Sequence, residues 1–159
     1  METNKHFILT DESITIVSGV KLYRIKCNKE IPGVSIGELG GFVQSYENLS
    51  DTAWVFDDAK VYGNARVNNN AKVSSNAEVS HNAWISGNAK ICGNAEIYGN
   101  ARVSGNAWIS GNAKIYDNAK IYSNAMIYGN AEVYDNAEVY GNSEVSDDAR
   151  ISSNAEVYG

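Results

Sequence analysis

From Leu49 to Val157 an aliphatic residue, Leu, Val or Ile, returns at every sixth position, nineteen times without insertion or omission. Four residues after nearly every aliphatic comes Ala, preceded by Asn or Asp, as in Val61-Tyr62-Gly63-Asn64-Ala65-Arg66 and Ile109-Ser110-Gly111-Asn112-Ala113-Lys114. A fixed short period is the mark of a solenoid. Six residues are too few for a helix pair, so the aliphatic and its outward neighbours make a short strand. The Gly, Asp or Ser before Asn makes the bend, since such residues tolerate left-handed backbone angles. One hexad is then one side and one corner. Three sides close a triangle, eighteen residues make one coil, and position n lies over position n+18. About six coils at the strand separation of ~4.8 Å give a rod of roughly 29 Å.

Residues 1–48 lack this beat. Ile14 and Ile16 alternate with polar residues, Ser18-Gly19 is a turn dipeptide, and Leu22, Tyr23, Ile25 and Cys27 continue a β-rich run, which together predict a hairpin. Such a segment is expected to cap the rod, because a bare solenoid end exposes unpaired backbone groups. Gly33, Gly37, Gly40 and Gly41 read as a flexible connection, and Val43 leads into phase six residues before Leu49. The expected division is an N-terminal β cap with its Gly-rich connection over 1–48 and a repeat region over 49–159.

The pattern [LIV]-x-x-N-A-x resembles the hexapeptide-repeat, or isoleucine-patch, superfamily and covers about 110 of the 159 residues. The resemblance implies an all-β chain folded as a left-handed parallel β-helix. The stretch Leu22-Tyr23-Arg24-Ile25, followed by Gly37 to Val43 and Asn48-Leu49-Ser50, further resembles the leader of uncharacterised bacterial and bacteriophage hexapeptide-repeat proteins. That implies a bacterial cell or a phage-infected host as the setting.

Sorting the outward residues by eighteen gives columns. On the face of Val61 and Val79, the residues before the aliphatic are Lys60, Glu78, Glu96, Lys114, Glu132 and Arg150, with opposite signs at four of five steps. This alternation supports register. After the aliphatic come Tyr62, Ser80, Tyr98, Tyr116, Tyr134 and Ser152, so Tyr98, Tyr116 and Tyr134 are expected to stack. The face of Val67 carries Tyr122, Tyr140 and Tyr158 in successive coils. The third face carries Trp54, Lys72, Lys90, Trp108, Met126 and Glu144 before the aliphatic, and Phe56, Cys92 and Tyr128 after it. Same-residue ladders stabilise parallel sheets in their own right. The functional alternative is that Trp108, Met126 and Tyr128 form an exposed apolar patch for a partner or a second copy. Asn76, Asn94, Asn112 and Asn130 form a corner column, which reads as stacked amides rather than a metal or sugar site.

The net charge of −6 argues against general nucleic-acid binding, which needs a basic face. No window reaches the ~18 apolar residues of a membrane span, and no signal peptide is apparent. Cys27 and Cys92 lie far apart without metal or disulfide spacing, which suits a reducing, cytoplasmic setting. Many members of the superfamily are acyltransferases with a His base beside an intersubunit cleft. Here only His6 and His81 are present, and His81 sits at a corner where no loop interrupts the repeat to build a pocket. Two His are too few for the three-His metal site of carbonic anhydrases of similar fold. No catalytic residue, metal ligand or cofactor-binding residue is assigned and no cofactor is expected.

The sequence therefore predicts a non-catalytic structural or interaction protein. It is a self-associating rod that uses its aromatic columns, or a C-terminal end where the repeats run to Gly159 without a cap. A host-interaction protein that blocks a bacterial defence component or sequesters its nucleotide signal, and a reduced acyltransferase using His81, are the alternatives.

Overall fold

The computed structural model describes residues 5–159. β1 (Phe7–Thr15) and β2 (Lys21–Cys27) form the expected antiparallel hairpin, with a register irregularity between Leu9 and Ser13. β2 pairs antiparallel with β3 (Leu39–Val43), whose other edge pairs parallel with Lys60–Val61, Val43 lying opposite Val61. β3 thus converts the meander into the stack. Gly40 and Gly41 are part of this strand and not of a flexible connection. Both are buried, and a Cβ on them would lie 2.5 Å from the carbonyl oxygens of Val55 and Ala59 respectively, so close packing is what these two glycines serve.

After a single 3-10 turn at Tyr46–Asn48, eighteen strands of two or three residues follow, from β4 (Trp54–Val55) to β21 (Glu156–Tyr158). They form three parallel sheets, and every pairing joins residue n to residue n+18, as in Lys60 with Glu78 and Ile91 with Ile109. The fold is an all-β solenoid of about six coils. Between coils the Trp54 N–H donates to the Ala71 carbonyl at 3.1 Å and the Phe56 N–H to Val73 at 2.8 Å, a pattern that recurs down the rod. Backbone polar groups are thereby satisfied without helices.

The core follows from the hexad. Val61, Ile85, Ile109 and their equivalents are fully buried, and so are the corner alanines such as Ala65, Ala95 and Ala113. Each large aliphatic contributes on the order of 1.5–3 kcal/mol by leaving water. In the last coil Val145 is buried, but Ala149, Ile151 and Val157 are only partly covered and Ala155 is exposed.

The N-terminal end is closed differently. Lys5 Nζ donates to the Leu49 carbonyl at 2.9 Å, and His6 Nε2 lies 2.8 Å from the Ala53 carbonyl. Phe7 stacks on Tyr46, their ring centres 5.4 Å apart. Trp54 consequently does not belong to an outward column. It is fully buried beneath this segment, 6.0 Å ring to ring from His6, and its indole N–H has no partner among the described residues. The hexad marks Trp54 as outward, but the segment around His6 and Phe7 lies over it.

Candidate functional site

The nine residues expected to form an interface fall three to a face, so they form three surfaces rather than one. On the first face Tyr98, Tyr116 and Tyr134 stack at 5.0 Å per step and within 3° of parallel. On the second, Tyr122 and Tyr140 stack at 4.9 Å and Tyr140 and Tyr158 at 5.5 Å. On the third, Trp108, Met126 and Tyr128 come together around a hollow of about 270 Å³, with Ser110 and Glu144. Trp108 is 50% exposed and Tyr128 38%.

A diagonal bond runs through all three faces. A residue just after one aliphatic meets the residue just before the aliphatic of the next coil, sixteen positions on. Tyr116 donates to Glu132 at 3.2 Å, Tyr122 to Glu138 at 3.1 Å, Tyr128 to Glu144 at 3.3 Å and Tyr140 to Glu156 at 3.3 Å. Trp108 Nε1 donates to Cys92 Sγ at 3.2 Å with the same spacing. Sorting by eighteen alone hides this bond, although Tyr followed sixteen residues later by Glu is written plainly in the chain. Burial, and then the bond to Glu132, push the Tyr116 hydroxyl up to about 12. Burial likewise raises Tyr62, Tyr98, Tyr122 and Tyr140, while the bonds from Lys120 and Tyr122 hold Glu138 below the ordinary carboxylate range.

The charge column is partly as expected. Lys60 pairs with Glu78 at 3.0 Å, Lys114 with Glu96 at 3.7 Å and Arg150 with Glu132 at 3.7 Å. Lys114 takes one of its two acidic neighbours. The corner amides also bond in columns, Asn94 to Asn112 and Asn112 to Asn130 each at 3.0 Å, and Asn130 ends on Asp148 at 3.0 Å.

His81 occupies a left-handed corner, φ 60°, where other coils use Gly, Asp, Asn or Ser. Its Nδ1 is 2.9 Å from the Ser80 hydroxyl, and its ring centre is 6.1 Å from that of Tyr98. The expectation that an uninterrupted repeat leaves no hollow here does not hold. A depression of about 230 Å³ is lined by Tyr62, Glu78, Ser80, His81, Glu96 and Tyr98. A second, of about 650 Å³, adjoins it where the hairpin tip, Ile14 to Ser18, overhangs Lys60, Tyr62 and Glu78. The first lies where Ser80, itself buried, stands in the tyrosine column, and no loop contributes to it. Trp84, which the sequence does not single out, is 45% exposed on the second face, with the Arg102 guanidinium 5.9 Å from its ring centre.

Among the described residues no group of three or more His, Cys, Asp or Glu is placed to hold a metal ion, and no helix is long and apolar enough to cross a membrane. Residues 59–75 and 97–111 match the family model of the YdcK beta solenoid repeat. The chain is a β-solenoid of hexapeptide repeats. No curated protein matches it.

Proposed function

We propose that this β-solenoid is a non-catalytic interaction protein that self-associates through its third face. The observation that carries the reading is the column Lys90, Trp108, Met126, Glu144, in which the two central residues flank the apolar hollow. Reversed end for end, this column complements itself. In a second copy laid antiparallel, Lys90 faces Glu144 and Trp108 faces Met126, which is the self-complementarity a twofold interface requires. The aromatic and Met anchors supply the apolar centre and the two charges a polar rim. Rigid coils keep the four residues in line, so little ordering cost accompanies association.

The nucleotide-sequestering reading draws less support, because the hollow beside His81 is lined by two carboxylates and by no Lys or Arg. Light scattering tests self-association. The wild-type chain is expected to be a dimer at micromolar concentration, Trp108→Glu a monomer, and Lys90→Glu weakened but restored by adding Glu144→Lys. A wild-type monomer at high concentration, or an assembly indifferent to Trp108→Glu, contradicts it.

A further inference from the structure

Most aromatic side chains of this molecule have a partner of their own. The two tyrosine ladders supply rings to one another. Elsewhere a cation lies over the ring: Lys21 is 5.0 Å from the ring centre of Tyr23, Arg24 4.3 Å from Phe42, Lys72 5.7 Å from Phe56 and Arg102 5.9 Å from Trp84. The negative face of an aromatic ring attracts such groups. Trp108 and Tyr128 are both exposed, and among the described residues neither has a stacked ring or a cation of this kind.

These two rings share one hollow. Trp108 stands before its aliphatic and Tyr128 after that of the next coil, so their backbones are separated by a diagonal of about 8 Å. Met126, in register with Trp108, and the small Ser110 line the hollow of about 270 Å³ with them. Hydrogen bonds hold both rings: Trp108 Nε1 donates to Cys92 Sγ at 3.2 Å, and the Tyr128 hydroxyl to Glu144 Oε2 at 3.3 Å. The walls are therefore in place before a ligand arrives, which lowers the ordering cost of binding. Glu144 is the one charged residue at the hollow, and it forms no ion pair among the described residues. The corner that follows adds Asp147 and Asp148, while the nearest cation on this face, Lys90, lies in the coil before Trp108. An anion is repelled here, and a neutral apolar group leaves the carboxylate unused.

We propose that this hollow binds a methylated alkylammonium head group. Its methyl groups contact Trp108, Tyr128 and Met126, and its charge is balanced by Glu144. Methylation suits the site because it spreads the charge over an apolar surface and removes the N–H donors that the hollow, with its single carboxylate, does not satisfy. The two sources of this chemistry are a free quaternary amine and the trimethylated lysine side chain of a peptide. The site overlaps the surface proposed for self-association but does not rest on that reading. There the Lys90 ammonium of a second copy faces Glu144, so head group and second copy compete.

NMR titration of the intact protein with choline tests the site through its indole N–H signals. Choline is expected to shift the Trp108 signal saturably, and to leave that of Trp84, which already has Arg102 beside it, in place. The neutral dimethylbutanol of the same shape is expected to bind at least about threefold more weakly. Glu144→Gln is expected to weaken choline about threefold, and Tyr128→Leu by a similar factor. Should Tyr128→Leu fail to fold, Glu144→Gln and the neutral isostere carry the test. A peptide containing trimethyllysine is run beside choline, and whichever binds more tightly names the source. Titration of Lys90→Glu, in which association is weakened, separates the two readings: choline binding is expected to persist there, whether or not the wild-type chain self-associates. A Trp108 signal that does not saturate, equal binding of the neutral isostere, or choline affinity unchanged in Glu144→Gln and in a folded Tyr128→Leu overturns the proposal.

Discussion

At the scale of single residues, the corner decides which side chains the repeat tolerates. Gly111 has φ 67°, and a Cβ on it would lie 2.7 Å from the Gly129 carbonyl oxygen and 2.8 Å from its nitrogen. Gly111→Ala therefore incurs both the left-handed penalty and a clash with backbone that belongs to the next coil. A loss of about 1–3 kcal/mol is expected by urea denaturation, and an unchanged midpoint would show that the coils can part at this corner without cost. The preference of the corner for Gly, Asn, Asp and Ser is legible in the sequence because one backbone angle causes it at every turn. What sets the severity at Gly111 is how near the neighbouring coil lies, and a single hexad does not record that.

Elements show where a one-dimensional reading stops. The strands, their inward aliphatics and the tyrosine ladders follow from counting by six and eighteen, because each depends on residues at fixed separations. The burial of Trp54 does not, since it depends on a segment from outside the repeat folding back over it. The same limit applies to Gly40 and Gly41, whose role depends on Val55 and Ala59 in the following coil.

The segment over Trp54 also carries a pH dependence. Burial lowers the His6 pKa from 6.5, with Lys5 and Lys29 acting in the same direction and the Ala53 carbonyl and Asp51 opposing. The folded protein thus holds this proton less readily than the unfolded chain. The stability His6 contributes is present above pH 6.5 and is lost as pH falls through the lower folded value. Melting temperature is expected to decline from pH 7 towards pH 5 in the wild type, and the decline to be shallower in His6→Gln. Identical slopes in the two proteins would contradict the burial of a neutral imidazole against Ala53.

For the whole molecule, every surface described above rests on one relation, that residue n meets residue n+18 in the next coil. The core, the corner amides, the tyrosine ladders and the column proposed for self-association all fail if that relation is wrong. The sequence makes it legible because three six-residue sides close a coil. It does not say which face another molecule covers, because the ladders of the first two faces and the patch of the third are equally regular in one dimension. The measurement that tests the relation most directly is a pair of double-mutant cycles in chemical denaturation. Tyr116 and Tyr134, eighteen residues apart and 5.0 Å between ring centres, are expected to couple by about 0.5–1.5 kcal/mol. Tyr116 and Tyr122, only six apart but on different faces, are expected to couple by nearly nothing. Coupling between the closer pair in sequence, or none between Tyr116 and Tyr134, would contradict the account.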